Sequence, residues 1–160
     1  MVIRKTTNHD LPEVCRIYEG ARDFMRENGN PDQWKDEFPT REIVVGDIVS
    51  GSSYVCISGD AIAAVFCFTV GPEPIYFKID GQWLSGDPYG VVHRMASARI
   101  TSGAGTFCLD WCLGQCRNIR IDTHRDNTPM RNLLDKLGYV FCGTVWLENG
   151  DERIAFQKIS

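Results

Sequence analysis

Apolar positions recur along this chain in two rhythms. Leu11, Val14, Tyr18, Ala21 and Met25 are spaced three and four apart, which places them on one face of a helix. Asp10-Leu-Pro-Glu13 opens that helix in the manner of a capping box, with proline in the first turn, and Gly29 closes it. Met1 to Lys5 reads as a short edge strand ahead of it. Thr40 to Ser50 predicts a second helix capped at Thr40. Ser53 to Ser58 and Ala61 to Val70 flank the turn Gly59-Asp60 and predict a hairpin. Tyr89 to Ala98 predicts a strand, followed by a glycine-containing loop and an apolar helical run. Ile119 to Thr123 predicts another strand. Asn127 or Thr128 caps a helix that carries Leu133, Leu134 and Leu137 on one face and stops at Gly138. Phe141 to Leu147 and Glu152 to Lys158 form a closing hairpin around Asn149-Gly150. Residues 71–88 keep neither rhythm, apart from a short helical piece near Ile75 to Ile79.

The alternation of strands and helices gives an α/β (α+β) class, and 160 residues suffice for one domain, 1–160, with a real core. An apolar fraction of 43% and a net charge of −4 fit a globular protein and argue against nucleic acid as the main partner. The sequence holds no apolar run long enough for a membrane span and no signal-peptide core at its start, so a cytoplasmic location is expected. Seven cysteines scattered through apolar segments read as reduced thiols in that compartment. Cys108, Cys112 and Cys116 follow helical spacing. They run in a line along one face and do not close a tetrahedron, so they read as small buried residues and no metal site is expected.

Gly103-Ala104-Gly105 lies between the strand Tyr89 to Ala98 and the helix that follows. Such a loop leaves backbone N–H groups unpaired at a helix N-terminus, where the dipole favours an anion such as a pyrophosphate. A dinucleotide-binding fold would want a third glycine at Cys108.

This arrangement resembles the GCN5-related N-acetyltransferase (GNAT) superfamily. Gly103 and Gly105 fall on the glycine positions of its pyrophosphate loop. Asn127 followed by a helix ending in Gly138-Tyr139 matches its second signature. Two positions depart: Ile100 stands where the loop carries Gln or Arg, and Leu134 stands where a tyrosine often protonates the departing thiolate. The resemblance implies a central, mixed, mostly antiparallel sheet of about seven strands with helices on both faces. The strands Tyr89–Ala98 and Ile119–Thr123 would splay apart. It implies acetyl-CoA held by Met95, Ala96, Ser97, Ser102, Gly103, Ala104, Gly105, Thr106, Asn127 and Met130. The segment after the first helix would wall the acceptor site, which brings forward Trp34, Glu37 and Phe38, with residues 71–88 as an acceptor-side flap. For those aromatics, packing back on the core is the competing reading.

Acetyl transfer to an amine needs a proton acceptor. His93 is the titratable residue with a useful range on its strand, and His124 is the second candidate. For either, a buried structural histidine is the competing reading. Tyr89, Tyr139 or water could protonate the thiolate. The expectation is an acetyl-CoA-dependent N-acetyltransferase, monomeric or homodimeric, acting on a primary amine of a small molecule or an amino terminus. The rival is a CoA-binding sensor of the same fold without catalysis, which Ile100 and Leu134 favour.

Overall fold

The computed structural model describes residues 1–160. In chain order its elements are β1 (Val2–Lys5), α1 (Leu11–Glu27), α2 (Arg41–Val49), β2 (Ser53–Ser58), β3 (Ala61–Val70), β4 (Asp80–Gly81), β5 (Gly90–Ser97), α3 (Ala104–Cys116), β6 (Asn118–Thr123), α4 (Thr128–Lys136), β7 (Val140–Trp146) and β8 (Glu152–Ile159). The strands form one sheet in the order β1-β2-β3-β5-β6-β8-β7-β4. Only β5 and β6 run parallel, joined by α3 as the crossover.

The sheet has eight strands rather than about seven. The addition is β4, two residues long, which pairs with β7 through Asp80↔Thr144 and Gly81↔Gly143. Two glycines face each other there because nothing larger fits. A Cβ on Gly81 would stand 2.1 Å from the Cys142 carbonyl oxygen, and one on Gly143 would stand 2.2 Å from that of Asp80. The expected helical piece in the same region is a 3-10 turn over Pro74–Tyr76.

Strand alternation sends side chains to two cores. Cys56, Ala64 and Phe66 pack with Ala104, Cys108, Leu109 and Cys112 of α3 and Leu134 of α4. Val55 and Val65 pack on the other face with Val14, Ile17 and Tyr18 of α1 and Val44 of α2. Small side chains along the buried stripe of α3 set it close over the sheet. Burial pushes the Cys112 thiol up to about 12 and the Cys108 thiol higher still, as expected for inert core cysteines. The helix caps differ in one place. The capping box at the start of α1 lies one turn earlier, between Thr7 and Asp10. The Asp10 carboxylate accepts from Thr7 N at 2.8 Å and from the Arg4 guanidinium at 2.7 and 3.0 Å.

Candidate functional site

β5 and β6 stay paired only over Gly90–Val92 and Ile119–Ile121, and then diverge. A bulge drives them apart. Against β3, β5 steps from Ala96↔Val65 to His93↔Cys67, so it carries one extra residue there. Arg94 sits in that step with φ 48. Its carbonyl accepts from the Tyr18 hydroxyl at 2.9 Å, and its guanidinium is held by Asp47 of α2. The bulge breaks simple alternation, so His93, Arg94 and Met95 all reach one cleft of about 820 Å³.

Six of the residues expected at the site meet in that cleft: Trp34, Phe38, His93, Met95, Asn127 and Met130. Trp34 packs on the core and lines the cleft as well. Its ring is buried edge-on against Tyr18, with centroids 5.7 Å apart, while it also walls the cleft beside Phe38. His93 Nε2 lies 3.5 Å from Glu73 Oε2, and its other ring nitrogen takes no partner from the chain. Glu73 is among the residues that sequence reasoning missed, because it lies in the segment without periodicity. The neighbouring His93 holds its carboxyl below the usual range against the opposing effect of burial.

Tyr89 is placed outside the cleft. Its hydroxyl accepts from Glu73 N at 3.0 Å, and its ring lies 3.9 Å from the Arg120 guanidinium, so it anchors the loop that carries Glu73. His124 is also elsewhere. Its Nδ1 accepts from Asp126 N at 3.0 Å, and it lines a smaller pocket with Asp32 and Arg153. Burial, and then the charge of Arg153, push its pKa down. Glu37 is exposed and joins no wall of the cleft; its neighbour Asp36 does. The Ala96 side chain is buried in the core under α1 and α2, and Ser97 is exposed with its hydroxyl accepting from Arg99 N. Any role these two have toward a ligand falls to their backbone, on the side of β5 that has lost β6.

The glycine loop forms the start of α3. Gly103 is the N-cap at φ 81, with no side-chain cap. No acceptor in the chain takes the N–H groups of Ser102, Gly103, Ala104, Gly105 or Thr106. A Cβ at Gly103 would meet nothing within 4 Å, so its cost there is the left-handed backbone, whereas at Gly105 it would press on Leu133 at 3.0 Å. Ile100 is 57% exposed beside this loop, and Leu134 is fully buried in the core.

The Asn127 side chain is engaged twice. Oδ1 accepts from Met130 N at 3.2 Å and caps α4, while Nδ2 donates to Gln33 Oε1 at 2.8 Å. Gln33 in turn accepts from Asn30 Nδ2, and its carbonyl takes a hydrogen bond from the Arg153 guanidinium, each at 2.8 Å. The loop of Trp34 and Phe38 is thereby tied to α4 and β8. Asp122 completes the inner wall and accepts from the Tyr76 hydroxyl at 2.6 Å. Asp122 was foreseeable as an acid at the end of a splayed strand. Gln33, Arg94 and Arg153 carried no local signal.

No family model matches the sequence, and no curated protein matches it. Among solved structures, a GNAT-family acetyltransferase from Streptococcus agalactiae superposes with a TM-score of 0.91 at 30% identity, over 99% of this chain and 95% of that one. A putative acetyltransferase from Staphylococcus aureus shows the same fold at 21% identity and a TM-score of 0.73, over 99% of both chains. A ribosomal-protein-alanine N-acetyltransferase from Brucella melitensis does so at 15% identity and 0.63, over the whole of both chains.

Proposed function

The chain belongs to the GNAT family of acetyltransferases, and from that premise we propose that it transfers an acetyl group from acetyl-CoA to a primary amine in the cytoplasm. The observation that carries this reading is the pairing of two features: a cradle of five unpaired N–H groups at the start of α3, and a cleft opened by the splay of β5 from β6 with His93 and Glu73 in its wall.

The donor set fits a nucleotide thioester. N–H groups from Ser102 to Thr106 at a helix start suit a pyrophosphate. The backbone of Met95 to Ser97, unpaired on the β6 side, suits an extended amide-containing arm. Acetyl-CoA, when bound, supplies an activated acyl group. The rest is work for side chains of the chain. An alkyl amine with a pKa near 10.4 is mostly protonated at neutral pH, which costs roughly 4–5 kcal/mol to reverse. His93 takes that proton on the ring nitrogen that has no partner, while Glu73 beside Nε2 fixes the ring and stabilises the imidazolium. Trp34 and Phe38 exclude water from the acceptor side.

A second reading, a CoA-binding module without catalysis, is favoured by Ile100 and by Leu134, which leaves no hydroxyl at the family's thiol-protonating position. It loses weight because a thiol of pKa near 8.5 departs as thiolate with little help. The test is thiol release from acetyl-CoA across a panel of amines, together with thermal stabilisation by CoA in the wild type and in Gly103→Val. Stabilisation that vanishes in the variant supports the cradle. Stabilisation without turnover on any amine supports the sensor.

A further inference from the structure

The cleft is unevenly charged. Its wall holds the carboxylates of Asp36, Glu73, Asp122, Glu148 and Asp151. Three fixed cations line it, Lys35, Arg94 and Arg153, and each is engaged. Arg94 is neutralised from behind by Asp47. Lys35 Nζ lies 3.7 Å from Asp151, and the Arg153 guanidinium donates to the Glu152 and Gln33 carbonyls at 2.8 Å. Asp36 and Glu148, on the tips of two different loops, take no hydrogen bond or ion pair from the chain and are exposed.

The deeper acids, Glu73 and Asp122, stand by His93 and Tyr76. Apolar groups of Met25, Phe38, Ile75 and Leu147 line the same cleft. Beside Asp122, Thr123 is 1% exposed, and its hydroxyl has no partner although the residue belongs to the cleft wall. A buried hydroxyl without a partner is costly to leave so, and it can accept a hydrogen bond from an N–H group of a ligand.

We infer that the acceptor is an aliphatic amine carrying a second cationic nitrogen, such as a diamine or polyamine, with its reacting end at His93 and Thr123 and its far charge against Asp36 and Glu148. This rests on the proposed transferase reading and adds the substrate class. An amine with a carboxylate at its far end meets like charge on the two loop tips and is disfavoured.

The test compares three amines of one chain length that differ only at the far end: cadaverine (ammonium), pentylamine (methyl) and 5-aminovalerate (carboxylate). Binding to the CoA-loaded protein is measured by calorimetry, and kcat/KM is measured with acetyl-CoA. Cadaverine should bind about tenfold more tightly than pentylamine, with 5-aminovalerate weakest. The Asp36→Asn, Glu148→Gln double variant should reduce the cadaverine-to-pentylamine ratio to below about threefold, with most of the change in KM. Equal binding of cadaverine and pentylamine, or a preference for 5-aminovalerate, overturns the inference even where all three are acetylated. The expected binding order without thiol release upholds the dicationic site and overturns the transferase reading instead.

Discussion

Arg94 and Asp47 meet in a two-point ion pair, Nε to Oδ2 at 2.8 Å and Nη2 to Oδ1 at 2.7 Å, behind the bulge that opens the cleft. The Cys67 thiol adds a third contact to the same carboxylate at 3.1 Å. Burial, with help from the Asp47 carboxylate and against the pull of Arg94, pushes that thiol up to about 12, so it stays protonated and acts as a donor. The pair joins α2 to the one residue of β5 that has left strand geometry.

Removing one partner leaves a charge with little access to water. Asp47→Ala should therefore cost about 3–5 kcal/mol. For a domain of this size that is a fall of roughly 10 °C in Tm. The double variant Asp47→Ala, Arg94→Met should lose less than the sum of Asp47→Ala and Arg94→Met made singly, because no lone charge remains. Chemical denaturation of the four proteins measures the coupling, and strict additivity would show that the pair contributes nothing.

Asp10 gives a pH dependence with a definite sign. The Arg4 guanidinium, with help from Thr7, lowers its carboxyl to about 2. A depressed carboxylate stabilises the fold above its unfolded value near 3.9, and that stability is lost as pH falls toward about 2. The contribution is about 1–2 kcal/mol once screening at the half-exposed Arg4 is allowed for. Between pH 4 and 2, Arg4→Gln should show a shallower loss of stability than the wild type. Parallel curves would remove Asp10 from the account.

Elements carried by local pattern were legible in the sequence. The hairpin at Gly59-Asp60, the cap at Asn127 and the stop at Gly138 all stand where turn chemistry puts them. Local pattern also identified Gly103 as a helix start. The cleft was only half legible, because its chemistry depends on pairs far apart in sequence. Glu73 reaches His93 across the Pro-rich segment, and Asp47 reaches Arg94 from α2. Neither pair has a spacing that betrays it. Tyr89 was drawn to the site by its place beside β5, yet its side chain turns to Arg120 and Glu73 N, which only its packing with Tyr76 and Trp83 from the segment without periodicity decides.

Asn127 offers a test of what ties down the loop of Trp34 and Phe38. Asn127→Asp keeps an oxygen for the Met130 N–H but loses the donor to Gln33. The cap survives, so stability should fall by no more than about 1 kcal/mol. The loop of Trp34 and Phe38 loses its link to α4, so the KM for the amine should rise several-fold while that for acetyl-CoA stays. A rise in the acetyl-CoA KM alone would instead place the Asn127 amide on the cofactor arm.

The His93–Glu73 pair supplies the sharpest kinetic prediction. His93→Ala should lower kcat by about 10²–10⁴, the usual scale for general acid–base catalysis, with CoA binding unchanged. Glu73→Gln is a different experiment. It keeps the shape of the side chain and the Tyr89 anchor on the Glu73 N–H, but removes the carboxylate 3.5 Å from Nε2. The side chain no longer carries the charge that steadies the ring and balances the proton it takes, so kcat should fall by about tenfold, a smaller loss than in His93→Ala. Glu73→Asp should recover part of the rate, because it restores the charge at a longer reach. A Glu73→Asp variant no faster than Glu73→Gln would make Glu73 a loop anchor only. A His93→Ala variant that keeps its rate would remove His93 from the chemistry and leave the deprotonation to water held by Asp122 in the same wall.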